Sequence, residues 1–179
     1  MFVVILLTGA SHTGKTLLAQ RLLEKYHFPY LSLDHLKMGL IRSGSTQLTP
    51  LSSDKALTEY LWPIAREMIK TVLENRQNLI VEGCYIPFSW AQDFSAEYRQ
   101  DMRCYSLVLS ERYIRAHFND IVRFAHVIES RLRDKCSLEQ VLADNAHYHA
   151  QAQAHGIPCI VIDETYEIDL DALYLEHSH

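Results

Sequence analysis

The sequence lacks any apolar run of the ~20 residues that a membrane-spanning helix requires, so no such span is expected. It also lacks a surplus of positive charge: Lys plus Arg number 17 against 22 Asp plus Glu, a formal net charge of −5. That balance argues against sequence-independent binding to nucleic acid or to anionic lipid, both of which need a dominant basic face. The expected partner is therefore a small molecule. Cysteines are few, and Cys84, Cys104, Cys136 and Cys159 form no Cys-x-x-Cys pair, so neither a zinc site nor a redox motif is indicated. They read as free thiols in a reducing cytosol. The apolar opening, Met1 to Leu7, is too short for a secretion signal and has no basic leader; it reads as a strand, and the protein as cytoplasmic. Of the ten histidines, His147 and His149 lie two apart on a predicted helix and point to different faces, a spacing that cannot chelate one ion.

What is present is a regular alternation of strand-like and helix-like segments. Phe2 to Leu7 is continuously apolar and rich in β-branched residues, as a strand covered on both faces requires. Ala19, Leu22, Leu23 and Tyr26 then recur at helical spacing until Pro29. Tyr30 to Leu33 reads as a second strand, Asp34 to Ile41 as a short helix, and Ser43 to Pro50 as a polar loop. From Leu57 to Leu73 apolar residues repeat at i, i+3, i+4 and i+7, predicting one long amphipathic helix, with Pro63 inside it expected to kink or break the helix near Trp62. Asn78 to Val81 is a third strand ending in Glu82-Gly83. A shorter helix is expected over Phe88 to Tyr98, a fourth strand over Arg103 to Leu109, and a helix from Glu111 to Phe118. Ser137 and Gln140 form a capping box, Gly156 closes the helix they start, and Ile157 to Asp163 is a fifth strand. Beyond Tyr166 the sequence carries no clear signal. This alternation implies an α/β protein, three layers deep, with a mostly parallel five-stranded sheet between helices, in a single domain spanning residues 1–179.

Gly9-Ala10-Ser11-His12-Thr13-Gly14-Lys15-Thr16 matches G-x-x-x-x-G-K-[ST], directly after a hydrophobic strand and directly before an amphipathic helix. The glycines let the backbone wrap so that successive N–H groups face phosphates, and the following helix presents its positive end to them. Lys15 would reach the outer phosphates and Thr16 would ligate Mg²⁺, which makes ATP with Mg²⁺ the expected cofactor pair. His12 reads as a variable loop position. The base-reading Asn-Lys-x-Asp of a GTPase does not occur. Leu79-Ile80-Val81-Glu82-Gly83 ends in a single acid, unlike the paired acids of large ATPase motors.

On the loop from Gly9 to Thr16, Asp34, Glu82-Gly83 and a run of arginines, the chain resembles the nucleoside-monophosphate-kinase-like P-loop kinases. That group includes adenylate, shikimate and gluconate kinases, chloramphenicol phosphotransferase and the zeta toxins. The resemblance spans nearly the whole chain in element order and implies a P-loop NTPase fold with a small helical lid at about residues 117–135. Members that phosphorylate a hydroxyl place an aspartate at the end of the second strand, as Asp34 stands here; a carboxylate there takes the proton an attacking hydroxyl must lose. The same position suits an N-cap of the following helix, and both readings stay open. Arg42 is a candidate for an anionic group on the acceptor, or a solvated helix end, and Glu82 would orient the Mg²⁺ shell. The resemblance makes the basic stretch from Arg112 to Lys135 the lid, with Arg115 stacking on adenine and Arg123 and Arg131 clamping the transferring phosphoryl group. The acceptor pocket is expected between Asp34 to Arg42, the loop Ser43 to Ser53, and Tyr85 to Phe94. Rival readings are an adenylate-kinase-like nucleoside monophosphate kinase and an ATPase or switch without a second substrate.

Overall fold

The computed structural model describes residues 2–124 and 137–175. Five strands, β1 (Val4–Gly9), β2 (Tyr30–Ser32), β3 (Leu79–Glu82), β4 (Met102–Leu109) and β5 (Cys159–Ile162), form one parallel sheet in the order β2-β3-β1-β4-β5. Every residue of β1 and β3 is buried, as strands with helices on both faces must be. The register sets Leu7 beside Glu82, Ser32 beside Glu82 and Gly9 beside Leu107. The carboxyl ends of β1, β2 and β3 therefore finish together. The connections leaving the neighbours β1 and β4 run to opposite sides of the sheet, to β2 and to β5, and such a divergence opens a crevice beyond the strand ends where ligands collect.

Seven helices cover the sheet among the described residues: α1 (Lys15–Tyr26), α2 (Leu33–Arg42), α3 (Asp54–Glu74), α4 (Ala96–Arg99), α5 (Glu111–Phe124), α6 (Leu138–Ala154) and α7 (Leu170–Leu175). Alternation along β1 divides the core in two. Val4 and Leu6 face one cluster with Leu57, Leu61, Ala65 and Ile69 of α3, while Val3, Ile5 and Leu7 face another with Leu18, Ala19 and Leu22 of α1 and Ile114 of α5. This is the three-layer arrangement that the alternating pattern implies.

Element types agree with the pattern, and strand ends move by one or two residues. Two expectations are corrected. Pro63 lies inside α3, yet the helix runs unbroken from Asp54 to Glu74, because buried residues on both sides of the proline, Leu57 and Leu61 before it and Ala65 and Ile69 after it, hold the two halves on one face. Phe88 to Tyr98 is not one helix but a 3₁₀ turn, Trp90–Asp93, followed by the four-residue α4. Its aromatic residues are consumed by tertiary contacts: Phe94 meets Trp62 edge-on at 6.2 Å, and the Trp62 indole donates to Asp93 at 2.7 Å. The Ser137 half of the capping box at α6 forms, its hydroxyl accepting from the Gln140 N–H at 3.2 Å.

Asn145 on α6 finishes β4. Its side-chain oxygen accepts from the Leu109 N–H at 2.9 Å and its amide donates to the Val141 carbonyl at 2.9 Å, all of it buried. Asn145→Ala leaves a buried backbone N–H without that acceptor, an expected loss of about 1–3 kcal/mol. Urea unfolding at unchanged m-value measures it, and a loss below ~0.5 kcal/mol would mean that the bond is not needed there.

Candidate nucleotide and acceptor site

β1 delivers the chain into the crevice at Gly9, whose backbone (φ 143°) runs so close to β4 that a Cβ would collide with the Leu107 carbonyl. The turn beyond it alternates in hand: His12 (φ 66°) and Gly14 (φ 86°) are left-handed, and Thr13 between them is not. Alternation of this kind turns successive N–H groups to one side and makes an anion-binding nest. Gly14 is the N-cap of α1 and supplies no side-chain cap, so the helix opens without a side chain covering its first-turn donors. Carbonyls turned to the outer side find donors within the protein. The Ala10 carbonyl accepts from the Lys15 ammonium at 2.7 Å and from the Thr13 hydroxyl at 3.0 Å. The Tyr166 hydroxyl lies 2.9 Å from the Thr13 carbonyl and 3.2 Å from that of Gly14. Lys15 is buried, at 7% exposure.

Glu82 ends β3 almost fully buried, beside Leu7 in the strand that feeds the loop, and Thr16 stands in the first turn of α1. A carboxylate and a hydroxyl are hard oxygen donors of the kind Mg²⁺ takes. No group of three or more His, Cys, Asp or Glu able to hold a metal occurs among the described residues.

Across the crevice, α2 carries Asp34 in its first turn. The N-cap is Ser32, so the capping reading of Asp34 is excluded. Its carboxylate instead pairs with Lys37 one turn on. The Lys37 ammonium also donates to the Tyr85 hydroxyl at 2.9 Å and lies 4.9 Å from the centre of that ring. Both partners are largely covered, Asp34 at 20% and Lys37 at 13% side-chain exposure. Sequence reasoning missed Lys37; its i,i+3 spacing from Asp34 was the available signal. Burial pushes the Tyr85 hydroxyl far above its ordinary value. The Cys84 thiol is pushed up to about 11, first by burial, with the Lys15 charge acting against the rise and the Asp34 charge adding to it. The Cys84 carbonyl accepts from the Tyr148 hydroxyl of α6 at 3.0 Å. Arg42 is exposed at the far end of α2.

No protein-family model matches the chain, and no curated protein does. Solved structures match it in fold. A presumed kinase from Chloroflexus aurantiacus J-10-fl superposes with a TM-score of 0.58 at 18% identity, covering 96% of this chain and 94% of that one. A gluconokinase from Sinorhizobium meliloti 1021 superposes with a TM-score of 0.53 at 15% identity, covering 92% and 84%. A chain of the Pnkp1/Rnl/Hen1 RNA repair complex does so at 0.53 and 15%, covering 84% of this chain and 46% of its own. The chain shares the three-layer fold of these structures.

The arginines divide. Arg112 joins the start of α5 to the segment after β5, with Asp163 and Glu164 each at 2.6 Å. Arg115 pairs with Glu111 at 2.8 Å and lines an open cleft of about 650 Å³ with Leu142, Asn145, His149 and Val161; no residue of the loop Gly9 to Thr16 lines that cleft. Arg123 is exposed in the last turn of α5. Arg131, and the lid region beyond residue 124, lie outside the described residues. Sequence reasoning also missed Tyr166, which no local pattern marks.

Proposed function

We propose that this protein is an ATP-dependent small-molecule kinase that transfers the γ-phosphoryl group of MgATP to a hydroxyl of its acceptor. The observation that carries the reading is the loop from Gly9 to Thr16: its left-handed, side-chain-free N-cap at Gly14 and the buried Lys15 open beyond the joined ends of β1, β2 and β3, where α2 begins with Asp34 in its first turn. The acceptor oxygen forms its bond to the γ-phosphorus as the bond to the β–γ bridging oxygen breaks. The hydroxyl proton goes to Asp34, and ADP leaves. Lys15 exchanges the Ala10 carbonyl for phosphate oxygens and stabilises charge on them, while the nest N–H groups hold the remainder. Mg²⁺, held by Thr16 and oriented by Glu82, would neutralise phosphate charge. Lys37 and Tyr85 shape the acceptor side.

A hydroxyl acceptor suits this charge balance better than a nucleoside monophosphate. A nucleotide brings up to two negative charges to a side where, among the described residues, Lys37 is already matched by Asp34 and Arg42 is exposed. Calorimetry with ATP and Mg²⁺, followed by an ADP-release screen over polyols, sugar acids, hydroxylated antibiotics and the four common nucleoside monophosphates, tests the reading. Binding of ATP and stimulation by one neutral or weakly charged hydroxyl compound is expected. No heat with MgATP would end the nucleotide assignment, stimulation by nucleoside monophosphates alone would replace the acceptor class, and turnover indifferent to every acceptor would favour an ATPase.

A further inference from the structure

The segment after β5 crosses the outside of α1 and sets one hydroxyl against the phosphate loop. Its anchors are specific: Asp171 receives the Tyr26 hydroxyl and pairs with Lys25 at 2.8 Å, and the Tyr105 hydroxyl donates to the Leu173 carbonyl at 3.2 Å. Between these anchors and β5, the Tyr166 ring packs on the α1-side core beneath the Arg21 guanidinium, 5.7 Å from its centre. The ring's hydroxyl reaches the carbonyls of Thr13 and Gly14 across 153 and 152 positions of sequence, and a Cβ on Gly14 would collide with it.

A nest can present its N–H groups to an anion only while the peptide planes stay turned, and turned planes send their carbonyls outward. Each of those carbonyls needs a donor or the planes relax. Thr13 supplies one at Ala10 whether or not Lys15 has moved to a phosphate, the Leu18 N–H supplies one at Gly14 at 2.9 Å, and the Tyr166 hydroxyl supplies the one at Thr13, with Gly14 at 3.2 Å as its more distant acceptor. We propose that Tyr166 is a positioning residue of the phosphate loop: by donating to the outward Thr13 carbonyl it holds the loop in the anion-binding conformation before nucleotide arrives. This rests on the nucleotide reading given above and adds a residue to it. Tyr166 touches no reacting atom; it acts through the main chain of Thr13 and Gly14.

Tyr166→Phe keeps the ring and removes only the donor, so a role in core packing alone would leave binding unmoved. The full-length protein is titrated calorimetrically with tripolyphosphate, ATP and adenosine, each with Mg²⁺, and amide exchange is followed over residues 10–16 without ligand. The expected result is tripolyphosphate and ATP affinity weakened alike by about tenfold, adenosine affinity unchanged, and faster exchange in the loop. In steady state, KM for ATP rises by a similar factor while kcat stays within about twofold. Equal tripolyphosphate binding and exchange in parent and variant would overturn the proposal while leaving the kinase reading in place. A loss confined to ATP would also overturn it, since that pattern marks a contact to the base. Absence of tripolyphosphate and ATP binding in the parent protein would remove the nucleotide reading and this proposal together.

Discussion

Lys15→Ala is expected to lower kcat/KM for ATP by about 10²–10³-fold and to leave the ligand-free protein as stable as before or more so. Both halves come from one arrangement. The ammonium is placed to meet charge on the transferring group, and a preorganised donor of that kind contributes most where water is excluded. Without ligand the same ammonium is buried at 7% exposure, with the Ala10 carbonyl as its hydrogen-bond acceptor, and a cation taken out of water is costly. Alanine removes that cost, and the Ala10 carbonyl still has the Thr13 hydroxyl. Functional groups held at the expense of stability behave this way. Steady-state ADP release and thermal unfolding without nucleotide measure the two effects. A kcat/KM within threefold of the parent would remove Lys15 from the chemistry; a melting point lowered by more than ~5 °C would make it a structural residue.

The architecture was open to reading because its strands are short apolar runs separated by segments of helical period, and a parallel sheet buried on both faces needs such runs. The type of each element follows from period. The order β2-β3-β1-β4-β5 does not, since pairing is decided by long-range packing. Both local errors share that cause. Pro63 weakens a helix by one hydrogen bond, but α3 is held by a buried face extending two turns on each side. Phe88, Trp90 and Phe94 imitate a helical stripe while folding instead around Trp62 and Tyr148, with ring centres 6.2 Å and 5.3 Å apart for the Phe94–Trp62 and Phe88–Tyr148 pairs.

The site divides along the same line. The phosphate loop could be read because every backbone requirement, a close approach at Gly9 and a left-handed N-cap at Gly14, falls within eight consecutive residues. The placement of Asp34 and Glu82 near that loop could be read because strand ends in such a sheet converge on it. Lys37 with Tyr85 and Tyr166 with Thr13 could not, since their partners lie 48 and 153 positions apart and only the fold joins them. Arg115, to which the resemblance gives an adenine contact, pairs with Glu111 on its own helix and lines the cleft beside α6.

Asp34→Asn is expected to reduce acceptor-stimulated ADP release by about 10²–10⁴-fold while ATP affinity stays within about twofold. Asparagine keeps the volume and one oxygen toward Lys37 but cannot take a proton, so the substitution separates position from basicity. The competing explanation is that Asp34 only anchors Lys37, whose ammonium also holds the Tyr85 hydroxyl. Lys37→Met distinguishes the two. If Asp34 is the proton acceptor and Lys37 orients it, Lys37→Met is expected to cost roughly tenfold, and the double variant to be no slower than Asp34→Asn alone, because residues acting as a unit are not additive. If Asp34 is merely an anchor, the two single variants fall by the same factor. Turnover of Asp34→Asn within fivefold of the parent, at saturating acceptor, would leave the carboxylate with Lys37 as its whole purpose and send the search for the proton acceptor to another residue.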